Sequence, residues 1–493
     1  MKRTPVEVKP EATSEMKPGA KSAFWLLGGL IAVGIALRFY RLDLHSLWGD
    51  ELATWKDCWQ PDMPAFWQSY FSLEQTPPLY FIFEFFVSRF FAATEWSMRI
   101  LSVIFGIGFI AAGGAFAGSL FPNDARKKRF AQWIGASFVA TSYRAILMSR
   151  EARCYSLLFM LSALSGWSWL NVDFEAKTFR ATRAWKYIAV AVLMSSTHYF
   201  GVLMVMAQGL SGLFCPAPRA RLANWFKIYG VILICYAPVL AVVFFHNNAI
   251  PAHGVPPPLS EFFVATREFF GGSSVNSLLA FALAFAALFF VRGMERGQRL
   301  RVLSWLVSVF LLGWAISRLK TVYSTRYYMV ALAPMLAVAA AGCAEILSLR
   351  LWAAGLLATI FCGLGLHETL IARHYFSEPQ NEQIREASQA AARDLKEFPD
   401  AGLTVVQFSP FTTDLYMDQS GAARHFETLT PTIAELLHRE TWPAPVRPSR
   451  QLIAMIFSYD DAEFGRMYLE LAKSMKILRR DDFRHVSTAV LQP

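Results

Sequence analysis

Eleven long apolar runs divide this chain, and they constrain its fold more than any other feature. A helix needs about 20 apolar residues to cross a bilayer, within a range of about 17 to 25, and each run meets or nearly meets that length. Hydrophobic residues make up 55% of the chain and charged residues only 17%, which is typical of a polytopic α-helical membrane protein. The runs cover approximately residues 24–40, 98–121, 130–148, 154–171, 184–198, 199–214, 225–245, 276–292, 302–317, 327–347 and 350–368.

Basic residues lie mostly in short clusters between these runs, and they predict an orientation. Lys and Arg in short loops are retained on the cytoplasmic side of a membrane. The polar segment 1–22 is therefore interpreted as a disordered cytoplasmic tail, and the clusters at 126–129, 177–183, 219–221 and 292–301 are expected on the same side. Because these clusters hold most of the excess positive charge, a nucleic-acid partner is not expected.

The segment Pro77–Ala92 is the one apolar stretch that would invert the later loops if it crossed the membrane. It is rich in aromatic residues and carries Glu84. As a helix lying in the membrane interface, it leaves every basic cluster on the cytoplasmic side. We therefore expect residues 42–97 to form an outer loop with juxtamembrane helices, within a transmembrane domain that spans residues 23–372.

An acidic pair, Asp50-Glu51, follows closely after the first apolar run, on the expected outer side. Ionisable groups at the edge of a bilayer are costly unless a cavity, a cation or a reaction uses them. A solvated loop start explains the pair equally well, because acidic residues outside a span usually lie in water. The pair alone does not decide between these interpretations.

Three further polar clusters are expected on the same face of the membrane. Glu151 and Arg153 open an apolar run, although a neutralised ion pair at the interface would also explain them. His198 interrupts an apolar stretch at its midpoint, where capping a hairpin apex is at least as good an explanation as binding a ligand. Arg326 and Tyr327 come at the start of another run, and arginine is the side chain best suited to hold a phosphate.

Together these clusters resemble the polytopic glycosyltransferases of the GT-C fold, specifically the protein mannosyltransferase and aminoarabinose transferase branch. The resemblance covers roughly residues 24–370 and rests on the order, spacing and expected side of five motifs. Two details differ from many relatives, since Thr76 stands where His is common and Cys154 where Pro is common. The motifs are Trp48-Gly49-Asp50-Glu51, Thr76-Pro77-Pro78-Leu79-Tyr80, Arg150-Glu151-Ala152-Arg153-Cys154-Tyr155, Thr197-His198-Tyr199-Phe200 and Arg326-Tyr327-Tyr328.

The resemblance implies an inverting transferase whose donor is a sugar on a polyprenyl phosphate. The acceptor would be a hydroxyl group of a glycolipid, a polysaccharide or a protein. Asp50 is then the general base, and Glu51, the second member of the catalytic pair, positions acceptor or sugar together with Glu151. Arg153 and Arg326 are expected to stabilise the departing phosphate. The expected substrate-binding set also includes Tyr155, His198 and Tyr327.

No cofactor is expected, and no metal ion, because a phosphate held by arginine needs no divalent cation. Asp50, Glu74, Glu84 and His198 could supply metal ligands, but their spacing matches no metal motif. The main alternative function is a transporter or flippase for a lipid-linked or anionic substrate. Transporters often place polar residues near the bilayer midplane, within internal repeats, whereas here the charged residues cluster at one interface and no repeat is evident.

Residues 373–493 are less apolar and are expected to form a small soluble α/β domain. With the N-terminus in the cytoplasm, this domain would lie on the periplasmic side of the inner membrane. Its role would be acceptor recognition or stability. Hydrophobic patterning predicts helices at 382–397 and 461–473, and strands at 403–408, 451–457 and 486–491.

Overall fold

A computed structural model describes most of the chain, and its described part is largely helical. The segment 1–22, expected as a tail, lies mostly outside the described residues, and the first helix already begins at Pro18. The motif residues Arg326 and Tyr327 also lie outside them. The described residues are 18–74, 76–174, 181–213, 219–246, 258, 260–290, 296–319, 328–349, 351–406, 411–420, 451–458 and 461–492.

The apolar part of the described chain is a bundle of helices. Long helices alternate with short ones, and α2 to α4 lie together in one connection between two long helices. The helices are α1 (Pro18–Phe39), α2 (Gly49–Cys58), α3 (Met63–Leu73), α4 (Leu79–Ser88), α5 (Glu95–Ser119), α6 (Ala125–Thr141), α7 (Tyr143–Met148), α8 (Tyr155–Leu170), α9 (Ala181–Ser195), α10 (Tyr199–Leu213), α11 (Arg219–His246), α12 (Glu261–Phe269), α13 (Ser274–Phe290), α14 (Arg296–Leu319), α15 (Leu332–Leu349) and α16 (Leu351–His367).

Six of the described helices are long and apolar enough to cross a membrane, namely α1, α5, α11, α14, α15 and α16. The pair α12 and α13 passes the same test together, but it bends by 99° at the break between the two helices. Every predicted apolar run contains a helix, although α8, α9 and α10 have only 16, 15 and 15 residues. The chain is therefore a multi-pass membrane protein, and helix length alone does not give the number of spans.

The helix α4 lies within Pro77–Ala92, the apolar segment that would invert the predicted orientation of the later loops if it crossed the membrane. It has 10 residues, which at 1.5 Å per residue is about 15 Å, half of the roughly 30 Å hydrocarbon core. A helix of this length does not cross a bilayer by itself. The length agrees with the interfacial placement expected for Pro77–Ala92.

One predicted run, at 130–148, forms two helices because the chain bends at Ser142. The backbone of Ser142 is extended, with φ −65° and ψ 124°, between α6 and α7. The last carbonyl groups of a helix lack partners within it. Here Arg38 of α1 supplies them, since its Nη1 donates to Ala140 O at 2.9 Å and its Nη2 to Val139 O at 3.2 Å. A distant arginine therefore stabilises the bend.

The helix α15 forms the centre of the bundle. It packs against α5, α6, α8, α13 and α16, and 94% of the residues in the apolar segment Met329–Ile346 are buried. Its sequence is rich in alanine, and small side chains let membrane helices approach closely. At Gly342 the backbone of Leu283 leaves no room for a β-carbon.

The described C-terminal region contains a four-stranded sheet flanked by helices. Its elements are α17 (Ile384–Glu397), β1 (Gly402–Val406), α18 (Phe411–Gln419), β2 (Leu452–Phe457), α19 (Asp461–Ser474), β3 (Lys476–Phe483) and β4 (Val486–Gln492). The strand order is β1-β2-β4-β3. β1 and β2 pair in parallel, and the two other pairs are antiparallel. The helices α17 and α19 and the strands β1, β2 and β4 lie close to the positions that patterning predicts.

Patterning misses β3 and α18. β3 is an edge strand that carries consecutive charged residues at 479–482, and its side chains are largely exposed. Charged side chains on edge strands discourage pairing with other chains, so such strands lack the apolar alternation by which strands are recognised. α18 has only nine residues, too few for a clear helical period.

The C-terminal region shares one hydrophobic core with the connection that holds α2 to α4. Leu47, Leu52 and Met98 belong to the same buried cluster as residues of α17, β1, β2 and β4. Tyr416 of α18 links the two parts, since its hydroxyl accepts from Leu47 N at 2.8 Å and donates to Glu95 Oε1 at 2.9 Å. The composition changes near residue 373, but the packing is continuous. We call this end of the bundle, with α2 to α4 and the C-terminal region, the motif end.

The clamp made by Arg38 leads to a first prediction. Arg38→Met keeps an apolar stem but leaves the buried carbonyl groups of Val139 and Ala140 without these donors. Each unsatisfied buried polar group costs about 1–3 kcal/mol, so the thermal unfolding midpoint of the purified protein should fall clearly. Arg393→Met is the matched control, because Arg393 is exposed and its ion pair with Asp481 is solvated. Equal midpoints for the two variants would contradict the clamp.

Candidate active site

The acidic pair forms the start of α2. Trp48 is the N-cap residue, and Asp50 and Glu51 lie in the first turn. Negative side chains are favoured there because the N-terminus of a helix carries a partial positive charge. Glu51 Oε2 also accepts a long hydrogen bond from Trp48 N at 3.4 Å. The pair is thus part of a helix start rather than of a solvated loop.

Glu51 forms a buried, two-point ion pair with Arg99 of α5. Arg99 Nε lies 2.8 Å from Glu51 Oε1, and Arg99 Nη2 lies 2.6 Å from Glu51 Oε2. The same Oε1 accepts from Ala152 N at 2.7 Å. The other N–H groups of Arg99 donate to the carbonyl groups of Leu42, His45 and Ser46.

This geometry revises the role expected for Glu51. The side chain is fully buried, and each of its two oxygens already has a donor. A carboxylate in this state does not contact an acceptor or a sugar. Instead, Glu51 holds the first turn of α2 against α5 and the turn at residues 149–154.

Arg153 forms a second buried ion pair, with Glu74 at the end of α3. The distance from Arg153 Nη1 to Glu74 Oε2 is 2.7 Å, and both side chains are at least nine-tenths buried. The same nitrogen lies 3.2 Å from Thr54 Oγ1 and 3.4 Å from Asp50 O. Arg153 therefore lies beside the acidic pair, as the motifs predict, but one carboxylate already balances its charge.

Sequence reasoning missed this partner, since it treated Glu74 only as a possible metal ligand. Thr76 supports Glu74, because its N and Oγ1 donate to Glu74 Oε1 at 3.0 and 2.9 Å. Thr76, which stands where His is common in similar proteins, thus has a defined hydrogen-bond partner. Arg153 itself could have indicated an acidic partner, because a buried cation requires a nearby anion.

His198 lies in the turn between α9 and α10 and is buried. Its Nδ1 accepts from Phe200 N at 3.1 Å. Burial, together with the positive charge of Arg153, lowers the pKa of His198 to about 4. Its ring centroid lies 5.9 Å from that of Tyr155. His198 is therefore neutral at physiological pH, and it joins Tyr155 in a buried aromatic group near Arg153.

Asp50 is partly exposed, unlike the two ion pairs beside it. Its carbonyl oxygen accepts from Thr54 Oγ1 at 3.1 Å, one turn along α2. The same carbonyl oxygen lies 3.4 Å from Arg153 Nη1, so the backbone of Asp50 is next to Arg153, and the negative charge of Asp50 acts on that guanidinium. Among the described residues, no three side chains of His, Cys, Asp or Glu gather as metal ligands.

Two parts of the expected site lie apart from this group or beyond the described residues. Glu151 lines a cavity of about 300 Å³ together with Trp48. Arg326 and Tyr327 lie outside the described residues. The next residue, Tyr328, is buried, and its ring centroid lies 5.4 Å from that of Phe200. The described part of the chain therefore resumes, at Tyr328, beside the motif that contains His198.

A third acid on α2, Asp57, was not anticipated. It lies seven residues after Asp50 and so on the same face of the helix. It is fully buried, and Ser69 Oγ donates to its Oδ1 at 2.9 Å. Burial raises the pKa of Asp57 to about 7, and the negative charge of Glu74 contributes to the rise. Asp57 therefore exchanges its proton near neutral pH.

The fold that carries this site matches solved structures of membrane glycosyltransferases. ArnT from Cupriavidus metallidurans, bound to undecaprenyl phosphate, has a TM-score of 0.57 and 14% identity, over 95% of this chain and 98% of that chain. The archaeal oligosaccharyltransferase AglB from Archaeoglobus fulgidus, in complex with an inhibitory peptide and a dolichol-phosphate, has a TM-score of 0.53 and 10% identity, over 89% and 70%. This chain has the GT-C fold.

A third similar structure is the arabinofuranosyltransferase AftD from Mycobacteria, with a TM-score of 0.54 and 13% identity, over 95% of this chain and 40% of that chain. No protein-family model and no curated protein matches the chain in sequence. The fold implied by the five motifs is therefore confirmed by backbone similarity, at identities of 10–14%.

The buried carboxyl of Asp57 leads to a second prediction. Between the ordinary pKa of an aspartate and about 7, the folded chain holds a proton that the unfolded chain has lost. The free energy of unfolding should therefore fall as pH rises through this window, by about 3–4 kcal/mol in total. Asp57→Asn removes this dependence while keeping an oxygen for Ser69.

The measurement is thermal unfolding of the purified protein between pH 4 and 8. Asp57→Asn and the parent should be similar near pH 4, and the variant should be the more stable above pH 7. Asp62→Asn is the control, since Asp62 is exposed at the start of α3. A constant difference between Asp57→Asn and the parent across the range would contradict the proposed proton uptake.

Proposed function

We propose that this chain is a membrane glycosyltransferase that moves a sugar from a polyprenyl-phosphate donor to a hydroxyl acceptor. The observation that carries the proposal is the position of Asp50, a partly exposed acid at the start of α2, whose backbone carbonyl lies 3.4 Å from Nη1 of the buried Arg153 and whose charge acts on that guanidinium. The fold supports it, because similar structures bind undecaprenyl phosphate or dolichol-phosphate. A lipid-linked donor also suits a site at the end of a bundle of apolar helices.

In the proposed reaction, Asp50 accepts the proton of the acceptor hydroxyl while that oxygen attacks the anomeric carbon of the donor sugar. The bond between this carbon and the phosphate oxygen breaks in the same step, and its electron pair leaves with the lipid phosphate. Attack opposite the leaving group inverts the anomeric centre. A positioned general base contributes about 10²–10⁴-fold to such a step, and no covalent enzyme intermediate is needed.

The leaving phosphate requires positive charge in addition to Arg153. Glu74 balances much of the charge of Arg153, so Arg153 alone attracts a dianion weakly. We assign the second cation to Arg326, which precedes the buried Tyr328 by two residues. Tyr328 packs against Phe200, whose ring lies 5.9 Å from that of His198. Arginine suits this role because it donates two parallel hydrogen bonds to a phosphate.

The other motif residues take supporting roles in this proposal. Glu51 is a positioning residue that acts through α2, because its carboxylate is engaged by Arg99. Tyr155 and His198 form a neutral aromatic wall beside Arg153. Glu151 lines a cavity together with Trp48, two residues before Asp50.

The proposed orientation has the N-terminus in the cytoplasm and the motif end on the outer face of the inner membrane. The basic cluster at 126–129 opens α6, and the other end of α6 contacts Arg38 close to the turn at 149–154. A helix of 17 residues spans roughly 25 Å. The basic cluster and the acidic site thus lie about one membrane thickness apart.

Asp50→Asn provides the third prediction. The amide keeps the shape of the side chain but cannot accept the proton, so transfer should fall by about 10²–10⁴-fold, while folding and donor binding persist. The measurement is transfer by the purified protein from a panel of polyprenyl-phosphate sugars to cell-envelope glycolipids. Asp43→Asn is the control, an exposed acid in the same connection. Normal turnover by Asp50→Asn would contradict the assignment of the base.

Assays of the wild-type protein distinguish the proposed glycosyltransferase from the alternative transporter or flippase. Transfer of the sugar to a new hydroxyl group in detergent solution requires chemistry and no membrane gradient. Movement of an intact lipid-linked sugar across a vesicle membrane, with no transfer from any donor, would instead support the transporter or flippase.

Arg326→Ala provides the fourth prediction. Removal of the guanidinium should weaken the binding of polyprenyl phosphate by at least about tenfold, since a hydrogen bond to a charged group is worth about 1.5–3 kcal/mol. Binding is measured by equilibrium titration of the purified protein. Arg318→Ala is the matched control, because Arg318 stacks on Trp314 in the last turn of α14. An unchanged affinity in Arg326→Ala would remove its phosphate role.

A further inference from the structure

A cavity of about 300 Å³ lies at the motif end, between α7 and the C-terminal region. Trp48 and Glu151 line it from the membrane part of the chain, and Asn381, Glu382 and His485 line it from the C-terminal region. The volume lies at the lower limit of small-molecule sites, which range over about 300–1,000 Å³. It suits a sugar residue or two rather than a folded segment of protein.

The cavity adjoins the proposed reaction site. Trp48 precedes Asp50 by two residues and caps the same helix. Glu151 likewise precedes Arg153 by two residues, in the turn whose Ala152 N donates to Glu51. The cavity is therefore lined by the two chain segments that also carry the proposed base, Asp50, and Arg153.

Contacts from the C-terminal region hold the far wall of the cavity in place. Ser46 Oγ donates to Glu382 O at 2.5 Å. Gln383 N donates to Arg484 O at 3.1 Å, and Arg484 N donates to Gln383 Oε1 at 3.0 Å. His485 has a positive φ of 57° in the tight turn between β3 and β4. The wall is thus fixed by pairing between the 380–383 segment and this turn.

The chemistry of the lining suits a neutral, hydroxyl-rich ligand. Trp48 and Tyr143 offer aromatic rings, and the carboxylates of Glu151 and Glu382 accept hydrogen bonds. Among the described residues of the lining, Arg144 is the basic side chain with a fixed charge, and its Nη2 is paired with Glu268 Oε2 at 2.5 Å. The lining thus offers carboxylate acceptors and a guanidinium that Glu268 already holds, which suits hydroxyl groups better than a phosphate.

Amide side chains complete the set. Asn381 provides a donor and an acceptor, and Gln380 provides an acceptor, since its Nε2 already donates to Arg373 O and Glu378 O. Aromatic faces pack against the C–H groups of a sugar ring, while planar carboxylates and amides bind its hydroxyl groups. The lining thus combines the two kinds of group that a saccharide requires.

We propose that this cavity binds the acceptor, and that the part of the acceptor bound there is a saccharide. The inference rests on the proposed glycosyltransferase function and extends it, because it assigns the acceptor class and gives the C-terminal region a role in recognition. Asn381 and Glu382 are specificity-determining residues in this view, and they act on the acceptor without contacting the donor phosphate.

The first experiment measures binding and needs no turnover. The full chain in lipid nanodiscs is titrated with methyl glycosides of hexoses, hexosamines, pentoses and uronic acids, and binding is followed by saturation-transfer NMR. Variants Glu382→Gln and Asn381→Ala should each lose about tenfold in affinity for the glycoside that binds. Glu378→Gln is the matched control, an exposed carboxylate in the same segment. Thermal unfolding midpoints of all variants test whether they remain folded.

Because Glu382 is buried, its variant could fail to fold, and the partly exposed Asn381 then serves as the deciding position. Binding by the parent and Glu378→Gln, lost in Asn381→Ala, supports the proposal. No binding of any glycoside by the parent, or equal binding by all variants, overturns it.

The second experiment separates this inference from the proposed function. Once transfer is detected, the KM for the acceptor should rise about tenfold in Asn381→Ala, with the KM for the donor unchanged. A rise in the donor KM alone would make the cavity a donor site and overturn the inference while the glycosyltransferase function stands. Glycoside binding that depends on Asn381, in a protein that transfers no sugar, would keep the saccharide site and remove the enzyme.

Discussion

The buried pair between Glu51 and Arg99 is the interaction on which the rest of the motif end depends. Removing two charges from water costs several kcal/mol per ion, and only good geometry with further hydrogen bonds compensates that cost. Here the pair is bidentate, Ala152 N donates to the carboxylate, and the guanidinium also donates to three carbonyl groups. One ion pair therefore holds together α2, α5, the turn at 149–154 and the segment between α1 and α2.

Two further buried arginines act in the same manner, through backbone carbonyl groups. Arg150 donates to four of them at the end of α1, and Arg38 donates to two at the end of α6. Helix ends leave such carbonyl groups without partners, and at the boundary of an apolar bundle few water molecules reach them. Arginine satisfies several at once because its N–H groups form a rigid fork. The turns that carry the motifs are fixed by this means.

The arrangement also separates buried carboxylates, which hold the site together, from a carboxylate that reaches the surface. Glu51 and Glu74 each neutralise one buried arginine, whereas Asp50 lies between them and remains partly exposed. The neighbouring residues of one acidic pair thus have opposite environments. Position in the first turn decides this difference, because the carboxylate of Glu51 is directed at Arg99 of α5, whereas Asp50 remains partly exposed at the start of the helix.

The sequence by itself determined the membrane class, the approximate helix positions, three of the four strands and the motif residues, because hydrophobic period and residue spacing are local properties. Tertiary structure decided which charges pair: Arg99 is 48 residues from Glu51, and Arg153 is 79 residues from Glu74. It also decided that the C-terminal region shares a core with Leu47 and Leu52 and closes a cavity over Glu151. Such contacts depend on how distant segments pack and how much water they exclude, and no local pattern records either.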